Sequence, residues 1–305
     1  MLKIAHAPVF AHLLPVDSNG TPHRFPMLKY ELIPEQLLYE GTCTPDNFFE
    51  PQPVDDRWAL AVHTPEYVHQ LKTGTLPPVM VRRIGFPQSP ELVKREWKIT
   101  QGTIDCSLLA QQHGVAMNVA GGTHHAFPDR GEGFCLLNDI GVAAHYLLEN
   151  RLARQILVVD LDVHQGNGTA VMFQHEPRVF TFSMHGKDNY PLRKEQSDLD
   201  IELATGLTDD AYLQTLRDTL PGLIDRVRPD FLYFIAGVDI LDTDRLGKLA
   251  VSRDGCRERD RFVFEQAIRY GLPISVSMGG GYSVRIADIV EAHCNTFRMA
   301  NSLYF

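Results

Sequence analysis

The segment that most constrains this chain is residues 155–169, which read QILVVDLDVHQGNGT. Its apolar, β-branched beginning at 156–159 predicts a buried strand of a parallel sheet. Asp160, Asp162 and His164 follow and alternate with apolar residues, so an extended backbone would direct all three toward one face. Glycines then end the strand. Open α/β sheets bind their ligands at the carboxyl ends of strands, so this segment predicts a site as well as a fold.

Two interpretations of these polar residues remain open from the segment alone. The Asp-x-His spacing of Asp162 and His164 offers a pair of ligands for a divalent metal. Alternatively, Asp160 and Asp162 cap the helix that follows. The rest of the chain is needed to decide between them.

Predicted strands and helices alternate along the sequence. Strands are predicted at 2–9, 60–63, 115–120, 156–159, 179–184, 231–236 and 274–278. Helices are predicted at 34–39, 66–71, 91–112, 138–150, 170–174, 209–227, 252–270 and 286–302, and loops at 11–30 and 74–90. This alternation predicts an α/β fold with a parallel sheet covered by helices on both faces. Without a repeat or a linker, the 305 residues are expected to form one domain, 1–305.

Further polar residues follow the other predicted strands. They are His124, His125, Ser183, His185, Asp239 and Tyr282. The carboxyl ends of parallel strands share one edge of the sheet, so these side chains are expected to converge on one crevice.

Each group in this crevice has a chemical interpretation and a structural alternative. Asp239 is the candidate third ligand beside Asp162 and His164. Three protein ligands would leave one coordination position of the metal open for water or substrate. His124 and His125 are candidates for proton transfer, although a His-His pair also occurs in solvated loops.

Two weaker candidates complete the predicted crevice. Tyr282, after three glycines, would donate a hydrogen bond to a developing oxyanion; alternatively, it is a core tyrosine. Ser183, with Asp160, Asp162 and His164, would hold a monovalent cation, K⁺ or Na⁺; alternatively, it satisfies backbone groups.

Composition excludes several classes of protein. The formal net charge of −9, from 38 acidic and 29 basic residues, argues against a broad nucleic-acid-binding surface. The five cysteines form no CxxC pair, which favours a reducing compartment. No stretch approaches the roughly 18 consecutive apolar residues of a membrane helix, and the first residues lack the apolar core of a signal peptide. We therefore expect a cytoplasmic protein without a membrane partner.

Together, these motifs resemble the zinc-dependent histone deacetylase family. The matching segments are GGTHHAFPDRGEGFCLLNDIGVAA, VVDLDVHQGNGT, VFTFSMH, AGVDILDTDRLG and GGGYS, in the order of the family, with HRFPMLKY and HTPEYVHQL before them. The resemblance implies an eight-stranded parallel α/β sheet of the arginase/deacetylase type. It also implies hydrolysis of the side-chain amide of acyl-lysine with one Zn²⁺ per chain, although the ligand set would also accept Fe(II) or Co(II).

The resemblance also assigns residues. Asp162, His164 and Asp239 match the zinc ligands, His124 and His125 match the histidine pair, and Tyr282 matches the carbonyl-polarising tyrosine. Asp160 and Asn167 match the partners of the two histidines. The residues that match the walls and rim of the acyl-lysine tunnel are Gly133, Phe134, Tyr190 and Leu246.

The chain departs from many relatives at two places. Asn167 replaces the aspartate of class I members, and the run DVHQGNG resembles class IV and bacterial relatives, which suggests acyl groups longer than acetyl. Loop 74–90 has Gln88 or Ser89 where many relatives have an aspartate that holds the substrate backbone.

Three other functions compete with deacylation of a protein lysine. The first is deacylation of acetylpolyamines or another small acylated amine. The second is an arginase-like ureohydrolase, which uses two metals and DxHxD, whereas Gly166 stands at the last position of that motif here. The third is a non-catalytic binding module, which would be expected to lose ligands or the tyrosine.

Overall fold

The computed structural model describes residues 1–16 and 23–305. Within them, eight parallel strands form one sheet with the order β2-β1-β3-β8-β7-β4-β5-β6. The strands are β1 (Lys3–Ala5), β2 (Phe48–Phe49), β3 (Val115–Asn118), β4 (Ile156–Asp160), β5 (Val179–Gly186), β6 (Leu199–Leu203), β7 (Phe231–Ile235) and β8 (Ile274–Ser277). The predicted parallel α/β sheet is confirmed.

Ten α-helices accompany the sheet in the described residues. They are α1 (Lys29–Tyr39), α2 (Asp56–Val62), α3 (Pro65–Thr73), α4 (Pro78–Ile84), α5 (Pro90–His113), α6 (Asp139–Glu149), α7 (Asn167–Phe173), α8 (Asp209–Val227), α9 (Arg253–Tyr270) and α10 (Ile286–Tyr304). Helix α5 packs against β1, β3, β8 and α6, whereas α10 packs against α1, α9 and β3. Helices therefore cover both faces of the sheet, as predicted.

Strand β4 lies inside the sheet, between β5 and β7. All five of its residues are buried, which explains its continuous apolar sequence. Its last residue, Asp160, is opposite Ser183 of β5 and Ile235 of β7. The chain therefore leaves β4 at the centre of the sheet edge, with the ends of the neighbouring strands beside it.

The predicted strand at 60–63 is wrong, because this segment belongs to helix α2 and its C-cap. The Asp55 side chain accepts a hydrogen bond from the Arg57 amide and starts the helix. Trp58 packs edge-on against Tyr146 of α6, with 4.7 Å between ring centroids. The apolar residues therefore serve a short helix packed on α6, which sequence alone does not distinguish from a short strand.

The predicted loop 74–90 contains helix α4, a second correction. Its prolines mark the start of the helix, where a missing N–H costs no hydrogen bond. Gly85 ends it with φ +83°, a left-handed conformation favoured by glycine. Helix α1 likewise begins earlier than the predicted 34, and Pro34 lies inside it.

Two strands at the sheet edges were not predicted from the residues. Strand β2 has two residues, and β6 has the mixed sequence LDIEL, so neither forms an apolar run. Residues 17–22 of the predicted loop 11–30 lie outside the described residues. All five cysteines are free and buried. No helix of the described residues is long and apolar enough to cross a membrane.

Candidate active site

Strand β4 ends at Asp160, and the chain turns immediately afterwards. The Asp162 amide donates to Asp160 Oδ1 at 3.2 Å, and the His164 amide donates to Asp162 Oδ1 at 2.9 Å. The expected continuation of extended backbone through His164 is therefore wrong, because each carboxylate bends the chain through the amide two residues on. The capping interpretation is wrong as well, since the N-cap of α7 is Gly166.

Asp162, His164 and Asp239 form a buried cluster whose candidate ligand atoms all lie within 4.8 Å of one another. His164 Nδ1 is 3.0 Å from Asp162 Oδ1 and 3.2 Å from Asp239 Oδ2. Burial and the neighbouring Asp162 carboxylate raise the pKa of Asp239, which reflects two acids confined in one site. A divalent cation would neutralise both carboxylates, so the residues present fit a metal.

The backbone around this cluster leaves little free space. Gly280 N donates to Asp162 Oδ2 at 2.8 Å, and a Cβ at Gly280 would fall 1.9 Å from Asp239 Oδ2. The Val163 amide donates to Asp239 Oδ1 at 3.0 Å. Each carboxylate is thus oriented by a backbone donor and retains an oxygen near His164.

Arg259 of α9 links the two loops that carry the carboxylates. Its Nη1 donates to Gly237 O at 2.5 Å and to Leu161 O at 3.3 Å. Its Nε donates to Asp260 Oδ1 at 2.8 Å, and both side chains of this pair are fully buried. The guanidinium therefore fixes the backbone beside Asp162 and Asp239, a role that no feature of the local sequence indicates.

The two neighbouring histidines have different partners. His124 Nδ1 is 2.7 Å from Asp160 Oδ2, and His125 Nδ1 is 2.6 Å from Asn167 Oδ1. Burial lowers the pKa of His124, but the Asp160 and Asp162 carboxylates outweigh it and raise the pKa to about 9. Burial, followed by the positive charges of His124 and His164, lowers the pKa of His125 well below its usual value.

Tyr282 is positioned by two glycine turns that lie against each other. Gly122 and Gly279 have φ of +73° and +62°, and a Cβ at Gly122 would lie 2.9 Å from the Gly279 backbone. The Tyr282 amide donates to Asp244 Oδ2 at 2.6 Å. The Tyr282 ring is 6.3 Å from the His164 ring. Burial, followed by the Asp162 and Asp239 carboxylates, raises the pKa of Tyr282 well above its usual value, so its hydroxyl keeps its proton.

A cavity of about 360 Å³ leads from the surface to this group. Its lining includes all four residues assigned to the tunnel, Gly133, Phe134, Tyr190 and Leu246, together with His125, His164 and Tyr282. The Tyr190 ring stands at 90° to the His125 ring, with 5.0 Å between centroids.

Helix α4, which the sequence had not indicated, supports the tunnel wall. The Gly133 amide donates to Arg83 O at 3.0 Å, and the Phe134 amide donates to Ile84 O at 2.7 Å. Gln88 and Ser89, which follow α4, have other roles: Gln88 Nε2 donates to the carbonyls of residues 70 and 71, and Ser89 caps α5.

A second, smaller cavity of about 30 Å³ lies on the inner side of the cluster. Phe25, Tyr30, Arg95 and Ile99 contribute to its lining. The segment HRFPMLKY resembled an early segment of the family, which was the available signal for Phe25 and Tyr30. Buried Lys29 of the same segment donates to Gly279 O at 3.0 Å and supports the glycine turn.

The structure also bears on the disfavoured second metal and on the predicted monovalent cation site. A Cβ at Gly166 would lie 2.3 Å from Asp160 Oδ2, so the position of the second arginase aspartate has no room for a side chain. Ser183 Oγ is 2.9 Å from His185 Nδ1, and its backbone pairs with β4 beside Asp160. The monovalent cation site stays a prediction.

Comparison with known proteins agrees with this geometry. The family model described as the histone deacetylase domain matches residues 21–297. The chain belongs to the histone deacetylase family. An uncharacterised protein of Picosynechococcus sp. is 46% identical over 297 residues, covering 97% of this chain and 99% of the relative. Histone deacetylase 2 of Arabidopsis thaliana is 30% identical over 282 residues, covering 88% and 73%, respectively.

Solved structures show the same fold as this histone deacetylase family member. The HDA15 HD domain superposes with a TM-score of 0.83 at 19% identity, covering 99% of this chain and 91% of that one. An HDAC homolog complexed with SAHA gives 0.83 at 21% identity, covering 99% and 84%. The chain is thus a histone deacetylase-family hydrolase with a buried Asp-His-Asp group that could bind a metal.

Proposed function

We propose that this chain hydrolyses the side-chain amide of acyl-lysine in proteins, with one divalent metal, Zn²⁺, held by Asp162, His164 and Asp239. The observation that carries the proposal is the placement of this cluster beside two differently paired histidines and a buried tyrosine, at the inner end of a cavity. A metal at this position would polarise the amide carbonyl and lower the pKa of a water molecule.

The histidines supply the proton transfers. Asn167 Oδ1 is an acceptor, so His125 Nδ1 carries the proton and Nε2 has a free lone pair. His125 accepts a proton from the attacking water as oxygen bonds to the carbonyl carbon. It then delivers that proton to the amine nitrogen as the C–N bond breaks, giving a carboxylate and a free amine. His124, held in its charged form by Asp160, stabilises the negative charge that develops.

Tyr282 donates its hydroxyl proton in a hydrogen bond to the carbonyl oxygen as that oxygen becomes an oxyanion. Burial raises the pKa of Tyr282, so the hydroxyl carries the proton that this hydrogen bond needs. The walls of the outer cavity, including Gly133, Phe134, Tyr190 and Leu246, enclose the methylene chain of the lysine and exclude water from the site.

The test is hydrolysis of an acetyl-lysine peptide by the purified, Zn²⁺-loaded chain, with bound metal measured by mass spectrometry. Tyr282→Phe removes only the hydroxyl and is expected to lower kcat by about 10²–10³-fold while the metal content stays at one per chain. Tyr39→Phe, at a side chain that is 94% exposed, is the matched control and should be unchanged. Absence of hydrolysis by the metal-loaded chain would refute the proposed deacylase function. Full activity of Tyr282→Phe would refute the role of the Tyr282 hydroxyl.

A further inference from the structure

The entrance of the outer cavity carries an unusual charge for this protein. Its lining includes three cationic side chains, Arg24, Arg83 and Lys248, and one carboxylate, Asp188. The chain as a whole has a formal net charge of −9. Positive charge is therefore concentrated at the entrance to the candidate site, against the trend of the rest of the molecule.

The three cations come from separate segments, and two of them, Arg24 and Lys248, have no carboxylate partner among the described residues. Arg24 precedes α1 and lies over the Phe134 ring, 4.9 Å from its centroid. Lys248 donates to the backbone carbonyl of Asp188 at 2.8 Å. No carboxylate of the residues described, 1–16 and 23–305, lies within 4.0 Å of the charged nitrogens of Arg24 or Lys248.

The acidic groups nearby already have partners. Asp188 Oδ2 accepts from the Thr205 hydroxyl at 2.7 Å. Glu132, behind the tunnel wall, accepts from Arg130 Nε at 2.8 Å and from the Tyr190 hydroxyl at 2.7 Å. Arg83 is 3.7 Å from the same Glu132 carboxylate, but its side chain is 56% exposed, so it can contact a ligand from the solvent side.

An apolar lip accompanies these charges. Leu192 lines the entrance and is 91% exposed, and Leu246 lines it as well. Apolar side chains rimmed by charged groups at the mouth of a cavity suit a substrate that covers the rim. A peptide whose lysine enters the cavity would extend across the rim, where Leu192 and Leu246 lie.

From this juxtaposition we infer that the preferred substrate is an acyl-lysine within an acidic peptide segment, with carboxylates on both sides of the modified lysine. The inference rests on the proposed deacylase function and specifies its substrate class. Acylated polyamines carry further positive charges, which Arg24, Arg83 and Lys248 would repel. Like charges brought together at a binding surface discriminate against the wrong ligand.

The experiment compares kcat/KM of the Zn²⁺-loaded chain on three acetyl-lysine peptides of equal length, flanked by Glu, Gln or Lys. Each favourable charge pair between peptide and rim should raise kcat/KM about two- to five-fold, which is the scale of exposed ion pairs. The order should be Glu above Gln above Lys, and raising the salt concentration to 0.5 M should reduce the differences because exposed charges are screened. N-acetylputrescine and free Nε-acetyl-lysine are assayed in parallel.

Charge-reversal variants locate the effect. Lys248→Glu and Arg24→Glu should each reduce the preference for the Glu peptide and improve turnover of the Lys peptide. Arg217→Glu, an equal charge change at an exposed position on α8, should leave the preference unchanged. These readouts are ratios between peptides, so a general loss of folded protein does not alter them.

The outcomes distinguish a failure of the proposed function from a failure of the acidic-peptide inference. If no acetylated compound is hydrolysed, the proposed function fails. If the peptides are hydrolysed equally, or if N-acetylputrescine or free Nε-acetyl-lysine is preferred to the Glu peptide, the function holds and the acidic-peptide inference is wrong.

Discussion

His125 Nδ1 lies 2.6 Å from Oδ1 of Asn167, an uncharged partner. Its neighbour His124 is instead paired with a carboxylate, although the two rings are only 4.1 Å apart. Two adjacent imidazoles that differ in this way have separated pKa values: the pKa of His124 is raised and that of His125 is lowered. One ring can thus hold a proton while the other is free to accept one, which is the division of labour that acid–base catalysis requires.

Asn167→Asp tests this division. A carboxylate at 2.6 Å would favour the protonated form of His125 and raise its pKa, because an opposite charge at such short range stabilises the imidazolium. A general base works in its neutral form, so the acidic limb of the kcat/KM profile should move to higher pH. Asn150→Asp, which adds the same charge at the exposed end of α6, is the control. An unmoved limb would contradict the assignment of His125 as the base.

Local sequence was sufficient for the parts of the fold that depend on near neighbours. Helix α3 begins as predicted because Thr64 accepts from the Tyr67 amide and Pro65 occupies the first helical position. Strand β4 is also predicted from its local sequence, because a strand that is buried on both faces of the sheet requires a continuous apolar run. Helix α2 was mistaken for a strand because its length and its packing on α6 are tertiary properties.

The candidate site was predictable only where its chemistry lies in short motifs. Asp162, His164 and the two histidines stand in such motifs, and the structure brings them together. Arg259 was not predictable, because its bonds to Gly237 O and Leu161 O join residues that are 22 and 98 positions apart in the sequence. The positive charge at the entrance of the outer cavity could not be predicted either, because its three cations come from segments that are distant in the sequence.

Gly280→Ala is expected to abolish metal binding. The new Cβ would lie 1.9 Å from Asp239 Oδ2 and 2.8 Å from Asp162 Oδ2, so the two carboxylates could not keep their positions. Bound metal per chain and kcat should fall together. Gly222→Ala in α8 is the control, because its Cβ meets nothing within 4 Å. This control should stabilise the fold by about 0.5–1 kcal/mol through helix propensity. A full complement of metal in Gly280→Ala would refute the proposed ligand arrangement.

His63 is expected to make the fold less stable in acid. It is buried, Nδ1 lies 2.9 Å from Phe127 O, and Nε2 accepts from the Asn138 amide at 3.0 Å. Burial lowers its pKa from 6.5 to about 4. Between these values the unfolded chain binds a proton that the folded chain excludes, so stability is complete above pH 6.5 and declines as the pH falls toward 4.

The measurement is the free energy of urea unfolding at pH 6.5 and pH 5, between which His63 should account for a decrease of about 1.5 kcal/mol. His63→Gln should be less stable than the parent chain at pH 6.5 but lose less stability on acidification. His69→Gln, at an exposed position of α3, should keep the parental pH dependence. Equal pH dependence in His63→Gln and the parent would show that His63 is not the group responsible.

The inner cavity should limit the length of the acyl group. The lysine chain must reach the site from the outer cavity, so the acyl chain beyond the carbonyl extends inward, where about 30 Å³ is available. A cavity of this size holds roughly two or three water molecules, since each needs about 10–15 Å³ of such volume. Acetyl and propionyl fit this space, whereas the longer chains suggested by the class IV resemblance would require the walls to move.

Ile99→Ala would enlarge this cavity, because Ile99 is 1% exposed and contributes to its lining. The ratio of kcat/KM for hexanoyl-lysine to that for acetyl-lysine should rise about ten-fold or more, the scale expected when a methylene or two gains room in an apolar pocket. Ile104→Ala on the same helix is equally buried but does not line the cavity, so it controls for lost stability and should leave the ratio unchanged. A parent chain that already prefers hexanoyl-lysine to acetyl-lysine would contradict the limit set by the inner cavity, without affecting the assignment of the metal ligands or of His125.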